Sequence, residues 1–172
     1  MLYHDVQGIE RRWPGFNRKQ FSSKKLIDLA ENQGINVVRD HVIESAGICK
    51  YKRETVIFFN PHQPEIELIM ALGHELGHYA LGHIGDEKEL YSPGHFSFKG
   101  IEKDAGIIGF LFWLPTHYLD RYPEMREIPE RLFDSMRHFS DEIREDDLHR
   151  ICRGRFRIYR AFNRVNQKGR RM

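Results

Sequence analysis

Apolar residues change their spacing several times along the 172 residues of the chain. Residues 1–17, which include Trp13, Pro14 and Gly15, read as an irregular arm. Helical spacing starts near Arg18: Phe21, Leu26, Leu29 and Ala30 recur about once per turn, Ser22 and Ser23 are cap candidates, and Gly34 closes the segment. Three short β-prone runs follow, at Ile35–Arg39, Gly47–Tyr51 and Thr55–Phe59, and the last (Thr-Val-Ile-Phe-Phe) is the strongest. Lys52, Arg53 and Glu54 mark a turn, so the spacing predicts an antiparallel meander or hairpin that stops at Asn60 and Pro61.

From about Gln63 the period becomes helical. Ile66, Ile69, Met70, Leu72, Leu76 and Ala80 predict an amphipathic helix, with Pro64 near its first turn and an end by Gly82 or Gly85. Residues 83–99 read as a loop, and loops of that length are commonly functional. A second apolar helix is expected from Ile101 to Leu114, stopped by Pro115. The rest reads as helices, one near Pro129–Phe139 and a last one from about Asp141 or Asp146 with Ile151, Ile158, Phe162 and Val165 on one face. The expected fold class is α+β: a small antiparallel sheet packed with two apolar helices, then C-terminal helices. The divisions are an arm (1–17), a core (18–117) and a helical C-terminal region with a basic tail (118–172).

Composition narrows the classes. Forty per cent hydrophobic and 30% charged residues fit a globular protein and exclude disordered, collagen-like and membrane-spanning classes. The longest apolar stretch, Gly106–Pro115, is well short of the roughly 18 residues a bilayer span needs. The first residues lack the pattern of a secretory signal, and two cysteines, Cys49 and Cys152, build no disulfide framework. Both read as small buried residues, and a cytoplasmic location is expected.

Net charge is +2, unevenly spread. Residues 150–172 hold nine basic and no acidic residues, while residues 1–149 hold 18 basic against 25 acidic, a net of −7. A basic end on an acidic body fits a nucleic-acid contact, a protein contact, self-docking or a solvated helix face. Arg153, Arg155, Phe156, Arg157, Tyr159 and Arg160 interleave basic and aromatic residues. Helical spacing assigns those aromatics to packing ahead of base stacking.

Ten histidines are more than an ordinary share, and two of them frame a motif. Residues 74–78 read His-Glu-Leu-Gly-His inside the predicted helix. Side chains four apart share a helix face, so both imidazoles reach one point, with a spacing that suits two nitrogen ligands on zinc. Glu75 lies beside that face and suits a base acting on water at the metal, not a ligand. Gly77 costs a helix roughly 1 kcal/mol against Ala, which makes sense where something packs close.

A catalytic zinc needs a third protein ligand and an open position. The candidates are His83, His95, Glu102 and Asp104. Glu102 opens the second apolar helix and completes a two-His, one-Glu set. Asp104 lies about 200° further round, so both carboxylates cannot face the metal. His83, five residues after His78, is expected to point about 140° away from it. His95 sits in the loop, within reach of metal or substrate. His62, His117 and His138 read as surface or packing residues, and Phe112 and Trp113 as core.

The string from His74 to His83 (HELGHYALGH) and the block from Glu102 to Pro115 (EKDAGIIGFLFWLP) resemble the ImmA/IrrE family of zinc metallopeptidases. The resemblance covers roughly residues 18–117 and implies a gluzincin-like core: a helix, a small antiparallel sheet, the HExxH helix and a third-ligand helix. It implies one zinc ion per chain on His74, His78 and Glu102, with Glu75 as the catalytic base. Manganese or iron suits a similar site. It also implies cleavage of a helix-turn-helix repressor that silences a mobile element or a stress regulon. Tyr79, Tyr91 and His95 are candidates for an oxyanion donor. Two features depart from the family: its Asn, four residues after the ligand Glu, is Gly106 here, and Phe110, Phe112 and Trp113 are bulkier than usual. The alternative reading is a metal-containing regulatory module of low or no activity, acting by protein contact and, less favoured, through DNA on the basic tail.

Overall fold

The structure is a computed structural model that describes residues 2–84, 100–121, 149 and 152–160. Elements follow in the order α1 (Leu2–Arg12), α2 (Ser23–Asn32), β1 (Asn36–Arg39), β2 (Ala46–Tyr51), β3 (Glu54–Phe59), α3 (Glu65–Leu81), α4 (Gly100–Trp113) and α5 (Thr116–Arg121). Residues 152–160 are also helical and are called α6 below. The fold is α+β, as expected. Among the described residues no helix is long and apolar enough to cross a membrane. The expected loop over 83–99, apart from residues 83 and 84, and the helix near Pro129–Phe139 lie outside the described residues.

The chain divides into two units, residues 20–113 and residues 1–19 with 114–172. In the first, Ser22 caps α2 by accepting from the Lys25 amide at 3.3 Å. Glu65, at the start of α3, adds its carboxylate to the same helix end. It accepts from the Ser23 amide at 2.8 Å and the Ser23 hydroxyl at 2.6 Å, which suits the positive end of a helix. Gln33 and Gly34 turn the chain out of α2, with Gly34 at a positive φ of 75°.

The sheet corrects the expected topology. Strand order is β1-β3-β2: β2 and β3 form the expected antiparallel hairpin, but β1 runs parallel to β3 (Asn36 beside Val56, Arg39 beside Phe59). The sheet is mixed because the β1–β2 connection, residues 40–45, carries the chain past a strand position before the hairpin returns. That distance is about 10 Å, easily covered by six residues. The hairpin turn is Lys52–Arg53, with Lys52 at a positive φ of 60°. Ile48 and Ile57 pair across β2 and β3 and are fully buried. Helix α3 packs on these two strands and, most extensively, on α4.

The second unit differs from expectation twice. The supposed irregular arm is the helix α1, and Val6, Ile9, Trp13 and Phe16 are buried at helical or near-helical spacing. The buried face of α6 is Cys152, Arg155, Phe156 and Tyr159, with Ile158 only half-buried. That face is turned about a quarter of the way round from the one that apolar spacing picks out. Arg155 is the reason. Its Nε donates to the Leu114 carbonyl at 2.6 Å and its Nη2 to the Thr116 hydroxyl at 3.0 Å, so a cation occupies a core position. Ile151, Phe162 and Val165 lie outside the described residues.

Candidate metal centre

Helix α3 is buried almost all round between Ile66 and His78, which is why its apolar pattern is broader than one stripe. Its close neighbour is α4, and the contact is made of residues with little or no side chain. A Cβ on Gly77 would stand 2.7 Å from the Ala105 carbonyl oxygen and 3.0 Å from the Ala105 Cα. One on Gly73 would stand 3.0 Å from the Gly109 Cα, and one on Gly109 would stand 3.1 Å from the His74 amide nitrogen and the Met70 carbonyl oxygen. The backbones therefore touch along a seam, and α4 is held one methyl group closer than side chains would permit. Closeness is what lets a carboxylate in the first turn of α4 reach imidazoles on α3.

That carboxylate is Glu102. His74 Nε2 lies 3.1 Å from Glu102 Oε2, His78 Nε2 lies 3.4 Å from Glu102 Oε1, and the two Nε2 atoms are 3.0 Å apart. The three side chains form a group that could hold a metal, and among the described residues no other such group of three occurs. Four ligands at tetrahedral corners about 2.0–2.1 Å from zinc stand about 3.3 Å from one another. The observed spacings bracket that value. Asp104, two residues on, is not part of the group.

The donor atoms are also in the right form. Burial, against the pull of Glu102, pushes His74 down from its ordinary value. Burial and then the neighbouring His74 push His78 down to about 4. Both imidazoles are therefore neutral near pH 7, with lone pairs to offer. Two ring nitrogens and two carboxylate oxygens thus converge where hydrogen bonding alone supplies few protons. A cation satisfies such a set, and the residues fit one zinc ion.

Glu75 stands beside the cluster and outside it. It is 1% exposed, and neither carboxyl oxygen has a hydrogen-bond partner among the described residues. Burial, and then the Glu102 carboxylate, push it up to about 8. The Ile48 backbone amide of β2 opposes that rise, though it sits outside hydrogen-bond geometry. An unbonded buried carboxyl costs about 1–3 kcal/mol or more, so a fold that keeps one spends stability on something other than packing.

No family model, curated protein or solved structure matches this chain. The site's chemistry therefore rests on its own residues.

One contact was misplaced by the sequence reading. His83 Nδ1 lies 3.3 Å from His78 Nδ1, with the rings edge-on and their centroids 5.3 Å apart. Helix α3 ends one residue before Gly82, which adopts the left-handed conformation at φ 70° and ψ 28°. The chain doubles back, the His83 amide donates to the His78 carbonyl at 2.9 Å, and the ring returns to its partner. The signal was present: a Gly just before the His, at the predicted helix end. With His78 Nε2 kept for a metal, its Nδ1–H donates to His83 Nδ1, the contact that fixes a ligand's tautomer and orientation. Tyr79 is turned elsewhere, its hydroxyl donating to the Gln33 carbonyl at 3.4 Å. His95 and Tyr91 lie outside the described residues. Gly106 is buried on α4 one turn after Glu102 and offers no side chain there. Phe112 and Trp113 are core residues, and Phe112 meets Phe21 edge-to-face at 5.1 Å.

Proposed function

We propose that this chain is a zinc-dependent endopeptidase of the ImmA/IrrE type that cuts a helix-turn-helix repressor and so relieves repression. The observation that carries this reading is the pairing of a His74–His78–Glu102 donor set with a buried, unbonded Glu75 carboxyl beside it. His74, His78 and Glu102 would hold the metal, and Gly73, Gly77 and Gly109 set how closely Glu102 approaches. Zinc, when bound, supplies Lewis-acid chemistry that makes water a nucleophile near neutral pH. A Glu75 oxygen takes a proton from the attacking water as its oxygen bonds to the scissile carbonyl carbon. The same oxygen returns that proton to the amide nitrogen as the C–N bond breaks. His83 steadies His78, and both cysteines are free thiols, which accords with action in the cytoplasm.

A second reading, a metal-holding regulatory module of little or no activity, draws on Gly106, where the family's Asn would supply a side chain. One experiment separates the two. A candidate helix-turn-helix repressor is incubated with wild-type protein and with Glu75→Gln, each with and without a chelator. Wild type should cut it and lose the activity to the chelator. Glu75→Gln should retain zinc and cut about 10²–10⁴ times more slowly. Equal cutting by Glu75→Gln removes the proposed mechanism, and an intact repressor after incubation with zinc-loaded wild type favours the module.

A further inference from the structure

Two histidines that the site above does not use face each other at the opposite end of α3. His41 lies in the β1–β2 connection and His62 in the β3–α3 connection, and both are exposed. His41 Nδ1 is 2.8 Å from His62 Nε2, with ring centroids 4.9 Å apart. The segments that carry them are fastened to each other. The Asp40 amide donates to the Phe59 carbonyl at 2.9 Å and the Asn60 amide to the Ser45 carbonyl at 2.7 Å. Asn60 Nδ2 donates to the Ile43 carbonyl at 2.9 Å, and Gln63 Nε2 to the Ser45 hydroxyl at 3.3 Å. Each stretch is also braced locally, by Val42 N–H on Asp40 Oδ1 at 2.8 Å and His62 N–H on Asn60 Oδ1 at 2.9 Å.

This bracing holds two imidazole nitrogens together in water, where an exposed N–H···N bond gains little because water offers each ring the same bond. Converged, preorganised nitrogen donors have a better use. We propose that His41 Nδ1 and His62 Nε2 chelate a late first-row divalent cation of the copper(II) or nickel(II) class, with water at its other positions. Two donors about 2.0 Å from a metal at a right angle stand about 2.8 Å apart, against about 3.3 Å for a tetrahedral pair. The 2.8 Å between His41 Nδ1 and His62 Nε2 matches adjacent corners of a tetragonal ion. Local charge leans towards a cation, since residues 39–45 hold Asp40 and Glu44 against Arg39, and residues 60–66 hold Glu65 and no Lys or Arg. Each ligating nitrogen must offer a bare lone pair, so in the complex His41 would carry its hydrogen on Nε2 and His62 on Nδ1. The helix rise between Glu65 and His74 is about 13 Å, so this site is distinct from the deeper one. A metal here would pin the sheet connection to the segment that leads into α3.

The test uses the full-length, zinc-loaded protein, titrated with copper(II) and followed by metal analysis and electron paramagnetic resonance. Wild type should bind one more copper per chain than His41→Gln or His62→Gln, with an axial spectrum split by nitrogen. His117→Gln, which removes another exposed histidine, should keep that copper. Nickel(II) should raise the melting midpoint of wild type and not of the two variants. Equal copper counts in wild type and both variants overturn the proposal, as does loss of the extra copper in His117→Gln. Either result leaves the zinc centre and the peptidase reading untouched, because none of these residues touches it.

Discussion

Both units of this protein bury charged and polar side chains, and they do so by opposite rules. In residues 1–19 with 114–172, donors meet acceptors. Arg155 donates to Leu114 and Thr116, the Tyr159 hydroxyl to Asp120 Oδ1 at 2.7 Å, Asn17 Nδ2 to Glu10 Oε1 at 2.7 Å, and the Thr116 amide to Asn17 Oδ1 at 2.7 Å. Burial pulls the guanidinium down to about 9, partly offset by Tyr159 and Asp120, and it stays charged at neutral pH. Only Arg155 Nη1 lacks a partner among the described residues of that network. In residues 20–113 one cluster is poor in donors: His74, His78 and Glu102 bring two ring nitrogens and two carboxylate oxygens to one point, and neither Glu75 oxygen has a hydrogen-bond partner among the described residues. A network that pairs nearly all of its own groups stabilises the fold. A donor-poor cluster is one that a cation could complete.

This contrast can be broken by mutation. The largest stability effect should come from Arg155→Met, which strands the Leu114 carbonyl and the Thr116 hydroxyl. We expect a loss of roughly 2–4 kcal/mol in denaturant unfolding, with zinc still bound at one per chain. A variant as stable as wild type would mean that the network does not hold its unit together. Next is Gly77→Ala, whose methyl group must push the Ala105 backbone away. It should cost about 1–3 kcal/mol and also weaken zinc binding, because Glu102 moves with α4. Stability lost with zinc affinity intact would show that the seam does not set the reach of Glu102. The smallest effect is expected for His83→Ala. Zinc affinity measured by chelator competition should fall about 10- to 100-fold while the metal-free protein unfolds at the same denaturant concentration, and His83→Asn should recover part of the affinity. An unchanged affinity would reduce the His83 contact to packing.

Much of the site could be read from the sequence because its signals are local. His74, Glu75 and His78 share one helix, Gly77 announced a close neighbour, and Glu102 opens the next apolar helix. What was missed depends on distance or on exceptions. Nothing within residues 35–59 distinguishes a β1 that pairs with β2 from one that skips to β3, because that choice is made by the path of residues 40–45. Helix α1 was legible in Val6, Ile9 and Trp13, but Gly8, Pro14 and Gly15 masked it. The face of α6 was misread because a core arginine looks like a surface residue until its acceptors are known. His83 was misjudged by extending a helix through the glycine that ends it.

The glycine seam between α3 and α4 has one further consequence. Side chains at an interface act as cushions, since a rotamer can turn and absorb a shift. Backbone pressed on backbone, as at Gly73–Gly109 and Gly77–Ala105, has less give, so a tilt or slide of α4 carries Glu102 with it. The spacing of the donors is thus geared to the position of one helix. A load applied along α4 becomes a change in the spacing of His74, His78 and Glu102.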